Sequence, residues 1–172
     1  MRKRITTLQK NNQPLVYCYF DLSSALKIKP LMPLSKADFS VKESTLPGSG
    51  KGLFTNVDIE KDTLIIEYVG RQTTWKEVKD DADNGYIYFN NRNHVIDARR
   101  HRSALARYAN DAAGLSRVKG VLNNCTYKVL KGKVYIKAIK NIPAGSEIFV
   151  SYGKDYWDTV KQNMAIDKAN GK

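Results

Sequence analysis

Apolar and polar residues alternate along Phe39-Ser40-Val41-Lys42, the period of a half-buried strand. Similar short runs recur down the chain. Leu53-Phe54-Thr55 is one, and Thr63 to Val69 is a longer one ended by Gly70. Tyr86 to Phe89 and His94 to Asp97 flank Asn90-Asn91-Arg92-Asn93, a turn sequence, and so predict a hairpin. Thr126 to Leu130 and Val134 to Ala138 predict a second hairpin around Lys131-Gly132-Lys133. Glu147-Ile148-Phe149-Val150 follows a proline–glycine turn and reads as a strand ending at Tyr152, where Gly153 lets the backbone turn away. Helical signals are few. Thr73 to Asp81 reads as a short helix with Thr74 as its N-cap, 101–109 is helix-prone, and 155–168 suits a terminal helix. The pattern predicts a mainly-β fold of several small sheets with few short helices. Residues 1–35 fit no period. Lys29-Pro30 and Met32-Pro33 break any helix there, which leaves an extension with a short helix or strand around 15–27.

Composition narrows the class. Hydrophobic residues make up 42% of the 172, enough to build a core. No run approaches the roughly 20 apolar residues that span a bilayer, and the basic N-terminus lacks the apolar stretch of a signal peptide. Cys18 and Cys125 are far apart and lack metal-ligand spacing, so neither a metal site nor a structural disulfide is expected, and a reducing compartment follows. The net charge of +12 suits an acidic partner, such as nucleic acid or a nucleosome. It equally suits a solubilising surface, since the lysines and arginines are spread along the chain.

TLPGSGKG (45–52) invites a phosphate-loop reading, and the spacing excludes it. Lys51 is followed by Gly52 where Ser or Thr is needed, and Thr45 stands where the first glycine belongs. The dinucleotide fingerprint fails because Leu53 occupies its last glycine position. Gly48, Gly50 and Gly52 then leave two readings: a hairpin turn, or a loop whose backbone comes close to a ligand.

Six segments in order resemble the SET-domain protein lysine methyltransferases. Gly50-Lys51-Gly52-Leu53-Phe54 resembles the family's G-x-G-(V/L)-F element, and Glu67-Tyr68-Val69-Gly70 its E-Y-x-G strand end. Tyr86-Ile87-Tyr88-Phe89 with Val95-Ile96-Asp97-Ala98 resembles its Y-L-F…I-D-A hairpin. Arg107-Tyr108-Ala109-Asn110-Asp111-Ala112 resembles R-F-x-N-H-S, Asn124-Cys125 resembles P-N-C, and Glu147 to Gly153 resembles E-L-T-x-D-Y-G. Three departures stand out. Asp111 and Ala112 replace the family's His and Ser, Asn123 replaces a proline, and no cysteine-rich tail follows, so no zinc-binding post-SET element is expected.

The resemblance implies an N-terminal extension (1–37), a SET domain (38–157) and a helical C-terminal tail (158–172). It implies a SET-domain fold whose C-terminal segment threads, pseudoknot-like, under the preceding loop and brings 107–112 beside 147–153. It implies methyl transfer from S-adenosyl-L-methionine to a lysine side chain, with a histone tail as one candidate substrate, inside the cell and with the nucleus or chromatin favoured. By the same resemblance Tyr152 is the catalytic tyrosine, and Tyr68, Tyr127 and Val150 line the lysine channel. Gly50, Lys51, Gly52 and Leu53 through their backbone, and Tyr86, Arg107 and Asn110 through their side chains, contact the cofactor. Asp111 serves through its backbone only, and Trp157 stacks on adenine where an aromatic segment closes the pocket. A tyrosine at position 127 is associated in the family with monomethylation. His94 and His101 read as surface residues. Two other readings remain open: a catalytically impaired SET fold that binds cofactor or peptide, motivated by Asp111, and a basic nucleic-acid-binding domain, motivated by the charge.

Overall fold

The computed structural model describes residues 34–81, 84–169 and 171. The element expected around 15–27, and Cys18, lie outside these residues. Strands β1 (Phe39–Glu43) and β2 (Lys51–Thr55) form an antiparallel pair with Val41 opposite Leu53. Strand β3 (Leu64–Glu67) pairs with β8 (Lys133–Ala138), which pairs with β7 (Cys125–Leu130). Strand β4 (Arg71–Thr73) pairs with β6 (His94–Asp97), which pairs with β5 (Ile87–Asn91). Both predicted hairpins are present. The β7–β8 turn places Lys131 at φ 49° and Gly132 at φ 75°, the double left-handed geometry that matches the twist of a two-residue hairpin.

Helix is sparse, as the pattern requires. Helix α1 (Trp75–Val78) starts at Thr74, and α2 (Lys154–Ala169) runs through the domain boundary expected at 157. The helix-prone stretch 101–109 forms only one 3-10 turn, Leu105–Tyr108. Its backbone closes short turns instead, from Ala104 N–H to His101 O and from Ala109 N–H to Ala106 O. A segment of nine residues gains little from helix propagation, so tertiary anchoring decides its shape.

The apolar faces of all three sheets meet in one core, where Leu53, Val134, Ile136, Ile148 and Val150 are fully buried. The segment 145–150 runs through the middle of it. Thr55 N–H donates to Ser146 O at 3.0 Å, and Ile148 N–H to Leu53 O at 2.7 Å. Val150 N–H donates to Asn110 O at 2.8 Å. On the other side, the Asn124 side chain donates to Glu147 O and accepts from Phe149 N–H, each at 2.8 Å. Glu147 to Val150 was read as a strand, and the structure corrects this. The segment makes isolated bridges to Phe54, Asn110 and Cys125, because three different segments each supply one partner and no ladder can propagate. This is the threaded arrangement, and it sets 107–112 against 147–153.

Candidate active site

Tyr152 stands where the threaded segment leaves the core. Its hydroxyl donates to Ala109 O at 2.8 Å, so the ring is fixed by the neighbouring strand segment. Around it lie the tyrosines of two sheets. Tyr68, buried at the end of β3, donates its hydroxyl to Tyr86 O at 3.1 Å. Its ring meets Tyr127 of β7 edge-on at 5.8 Å and Tyr88 of β5 at 6.0 Å. Tyr88 and Tyr127 are 4.7 Å apart. Tyr88 had no role in the sequence reading. The signal for it was there: Tyr86 and Tyr88 alternate on one strand face, so both turn the same way.

Burial holds these phenols well above the ordinary tyrosine range. It is the leading cause for Tyr152, Tyr127 and Tyr68, with neighbouring tyrosines adding for the first two and Arg107 opposing for Tyr68. They are therefore neutral hydroxyls at any physiological pH. They can orient an amine and face a cation, and they cannot serve as anionic bases. Burial also pushes the Cys125 thiol up to about 12, which makes it a packed side chain rather than a nucleophile.

The glycine loop closes the next wall. Gly50 sits at φ 65°, a conformation natural to glycine, and a β-carbon on Gly52 would overlap the Glu147 carboxylate. Glu147 is only 5% exposed, and it holds the loop. It accepts Ser44 Oγ at 2.7 Å, Thr45 N–H at 2.7 Å, Thr45 Oγ1 at 2.7 Å and Asn110 Nδ2 at 3.2 Å. Sequence reasoning gave Glu147 no role, because nothing local shows that its partners lie about a hundred residues away. Asn110 Nδ2 also faces Lys51 O at 3.0 Å, so its donors are spent on the loop. Its amide oxygen is the group left for a ligand, since no described residue donates to it. Leu53 is fully buried, while Lys51 is exposed and pairs with Glu43 at 3.5 Å. Val150, expected to line the channel, is wholly within the core and reaches the site through its backbone.

Arg107 lies with its guanidinium 3.8 Å above the Tyr86 ring and donates to Arg99 O at 3.1 Å. Its Nε is buried and has no partner among the described residues. His94 and His101, read as surface residues, are half-buried. His94 Nε2, on β6, and His101 Nδ1 are shut off from solvent.

Asp111 also departs from expectation. It was assigned a backbone role, yet its carboxylate is 5% exposed and accepts four hydrogen bonds. Oδ2 takes Tyr152 N–H and Trp157 Nε1–H, and Oδ1 takes Ala113 N–H and Asn123 Nδ2, all at 2.8 Å. Trp157 is thereby set parallel to the Tyr152 ring, 5.9 Å away, with Tyr156 edge-on to both. Gly114 lies so close to the indole that a β-carbon there would overlap it. A cavity of about 280 Å³ opens beside them, lined by Asp111, Trp157, Gly153, Ser151, Arg117 and Lys161 among others. The structure thus gathers the glycine loop, Asn110, Asp111, Trp157 and Tyr152 around one region, with the Tyr68–Tyr88–Tyr127 cluster beside it.

Comparison with known proteins identifies the family. The SET domain family model matches residues 50–153. Human histone-lysine N-methyltransferase 2D is 29% identical over 120 residues, which is 63% of this chain and 2% of that protein. Histone-lysine N-methyltransferase EZH2 of Chaetomium thermophilum is 27% identical over 143 residues, 75% of this chain and 9% of that one. The chain thus spans under a tenth of the length of these curated relatives. Among solved structures, a humanized mutant of the Chaetomium thermophilum Polycomb Repressive Complex 2 bound to an inhibitor superposes with TM-score 0.53 at 28% identity, over 67% of this chain and 15% of that one. The same complex in an autoinhibited, S-adenosylmethionine-bound conformation reaches 0.55 at 24% identity, over 76% and 17%, a likeness of fold. A match running from the glycine loop through Tyr152 and covering well over half of the 172 residues settles the kinship: the chain belongs to the SET domain family.

Proposed function

We propose that this protein is an S-adenosyl-L-methionine-dependent protein-lysine N-methyltransferase whose substrate is a lysine in a protein segment such as a histone tail. The observation that carries the reading is the cluster of Tyr68, Tyr88 and Tyr127 set beside Tyr152, whose hydroxyl is held by Ala109 O. The residues fit the cofactor. Gly50 to Gly52 offer close backbone, the Asn110 oxygen is an open acceptor for an ammonium, and the Arg107 Nε–H is an orphaned buried donor for a carboxylate. When bound there, S-adenosyl-L-methionine supplies a methyl group activated by its sulfonium.

The chain's own residues do the rest. A lysine arrives as a cation with a pKa of about 10.4, and aromatic faces attract it. Tyr68, Tyr88 and Tyr127 shield the entering side chain and so disfavour the ammonium, whose proton passes to solvent water before the amine is enclosed. The Tyr152 ring is clamped by Ala109 O, so its oxygen can aim the lone pair of the neutral amine. Alignment of donor and acceptor, rather than a covalent enzyme intermediate, lowers the barrier.

The net charge of +12 supports an acidic partner such as nucleosomal DNA, and a chromatin setting accords with the histone-directed names of the relatives. The test is incubation of the full chain with labelled S-adenosyl-L-methionine and core histones, followed by mass spectrometry of labelled sites. Label on a histone lysine, lost in Tyr152→Phe, is the expected result. Cofactor binding with no label on any protein would leave the impaired reading standing. Steeply salt-dependent DNA binding without cofactor binding would favour the nucleic-acid reading.

A further inference from the structure

We propose that the Asp111 carboxylate is the positioning group of this active site, the one anchor that fixes both the Tyr152 backbone and the Trp157 indole. The inference rests on the proposed methyl transfer for its kinetic part and on geometry alone for the rest. The four bonds divide between the two oxygens. Oδ2 holds Tyr152 N–H and Trp157 Nε1–H, which belong to the residues flanking the reaction. Oδ1 holds Ala113 N–H and Asn123 Nδ2, which belong to the loop 112–123. One buried carboxylate therefore joins the threaded segment, the first turn of α2 and that loop.

A carboxylate suits this place as a neutral amide does not. All four partners are donors, and an ionised carboxylate is acceptor-only with room for four. Bonds to an ionised acceptor are shorter and stronger than neutral ones, in accord with four distances of 2.8 Å. The substitution that motivated the impaired reading is thus a working part of the fold. The fixed indole lies parallel to Tyr152, so a shift of Trp157 is felt by the ring that bears the orienting hydroxyl. Gly114, with no β-carbon, lets the loop close against the indole's other contacts.

The test uses the full chain carrying Trp75→Phe, which leaves Trp157 as its one tryptophan. Asp111→Ala removes the acceptor of all four donors. The expected result is a red shift of Trp157 emission and a fall in kcat of at least about tenfold, with the peptide KM within about twofold. Asn123→Ala removes one partner of Oδ1 together with the acceptor of Ala112 N–H, and it should lower thermal stability while leaving emission near its starting value. Unmoved emission or unmoved kcat in Asp111→Ala overturns the proposal. So does an Asn123→Ala variant that shifts emission as far, since the loop alone would then place the indole. If Asp111→Ala does not fold, the indole N–H of Trp157 in the Trp75→Phe chain decides by nuclear magnetic resonance. A downfield, exchange-protected proton supports the anchor, and one exchanging at the solvent rate refutes it. Emission and proton exchange need no turnover. A chain that transfers no methyl therefore overturns the proposed function separately from the anchor.

Discussion

Glu147→Gln is the sharpest probe of how the glycine loop is held. The substitution keeps shape and removes one acceptor and the charge. Thr45 N–H is a backbone donor at 2.7 Å and cannot turn, so the new amide nitrogen must face Ser44 and Asn110. The Ser44 hydroxyl already accepts from Leu46 N–H and Asn110 Nδ2, so Ser44 and Asn110 both meet a donor. Their bonds to a charged group are lost, at about 1.5–3 kcal/mol each, and the retained bonds lose their charge assistance. Relief from burying a carboxylate offsets part of this, leaving a net loss of about 2–4 kcal/mol. For a chain of this size that lowers Tm by about 5–15 °C. Because Asn110 and Lys51 O share the network, cofactor affinity should weaken by about tenfold, or 1.4 kcal/mol. Scanning calorimetry and titration calorimetry with S-adenosyl-L-methionine read both effects. A Tm within about 2 °C of the unaltered chain, the scale of an ordinary surface substitution, would show that the carboxylate does not organise the loop.

Three further outcomes follow from the geometry. Tyr152→Phe loses the hydroxyl aimed at the reacting amine and should cost about 2–4 kcal/mol of transition-state stabilisation with the fold intact, and single-turnover kinetics showing near-normal transfer would sink the assignment. Tyr127→Phe vacates one hydroxyl's volume in the tyrosine cluster and should shift a monomethyl product toward dimethyl, whereas trimethyl-lysine from the unaltered enzyme in time-resolved mass spectrometry contradicts that expectation. Tyr68, which is buried, and the partly buried Tyr127 and Tyr152 keep their protons in the folded state to higher pH than in the unfolded state, so their contribution is whole below about pH 10 and is lost as pH rises above it, at about 1.4 kcal/mol per unit for each. Denaturation midpoints measured with phenolate absorbance should fall steeply there, and midpoints that stay level to about pH 12 would mean these rings are not dry.

What the sequence disclosed was local, and what it concealed was not. Both hairpins were readable because period-2 patterning and turn residues lie within one short stretch. Tyr152 and Gly153 were readable as a strand end followed by a break. Glu147 to Val150 was misread because β-branched and aromatic content predicts extension but not whether one partner strand or three segments receive it. The carboxylates of Asp111 and Glu147 escaped for a related reason. A buried acid is recognisable only by its donors, and those of Glu147 at Ser44 and Thr45 stand at separations of 103 and 102 residues. Tyr88 was overlooked although its alternation with Tyr86 was in plain view. The half-burial of His94 and His101 depends on neighbours distant in the chain, which no local pattern records.

The threading of 145–150 has a consequence for biosynthesis. Until that segment inserts, the Asn124 side chain faces no main-chain partner, Asn110 O lacks its donor and Leu53 O lacks Ile148 N–H. These groups lie in the interior, where missing partners are costly. A nascent polypeptide still held at the ribosome short of Tyr152 therefore has no half-finished core to rest in. Tyr152 belongs to that same insertion, so the candidate site is complete only once the threaded segment is in place.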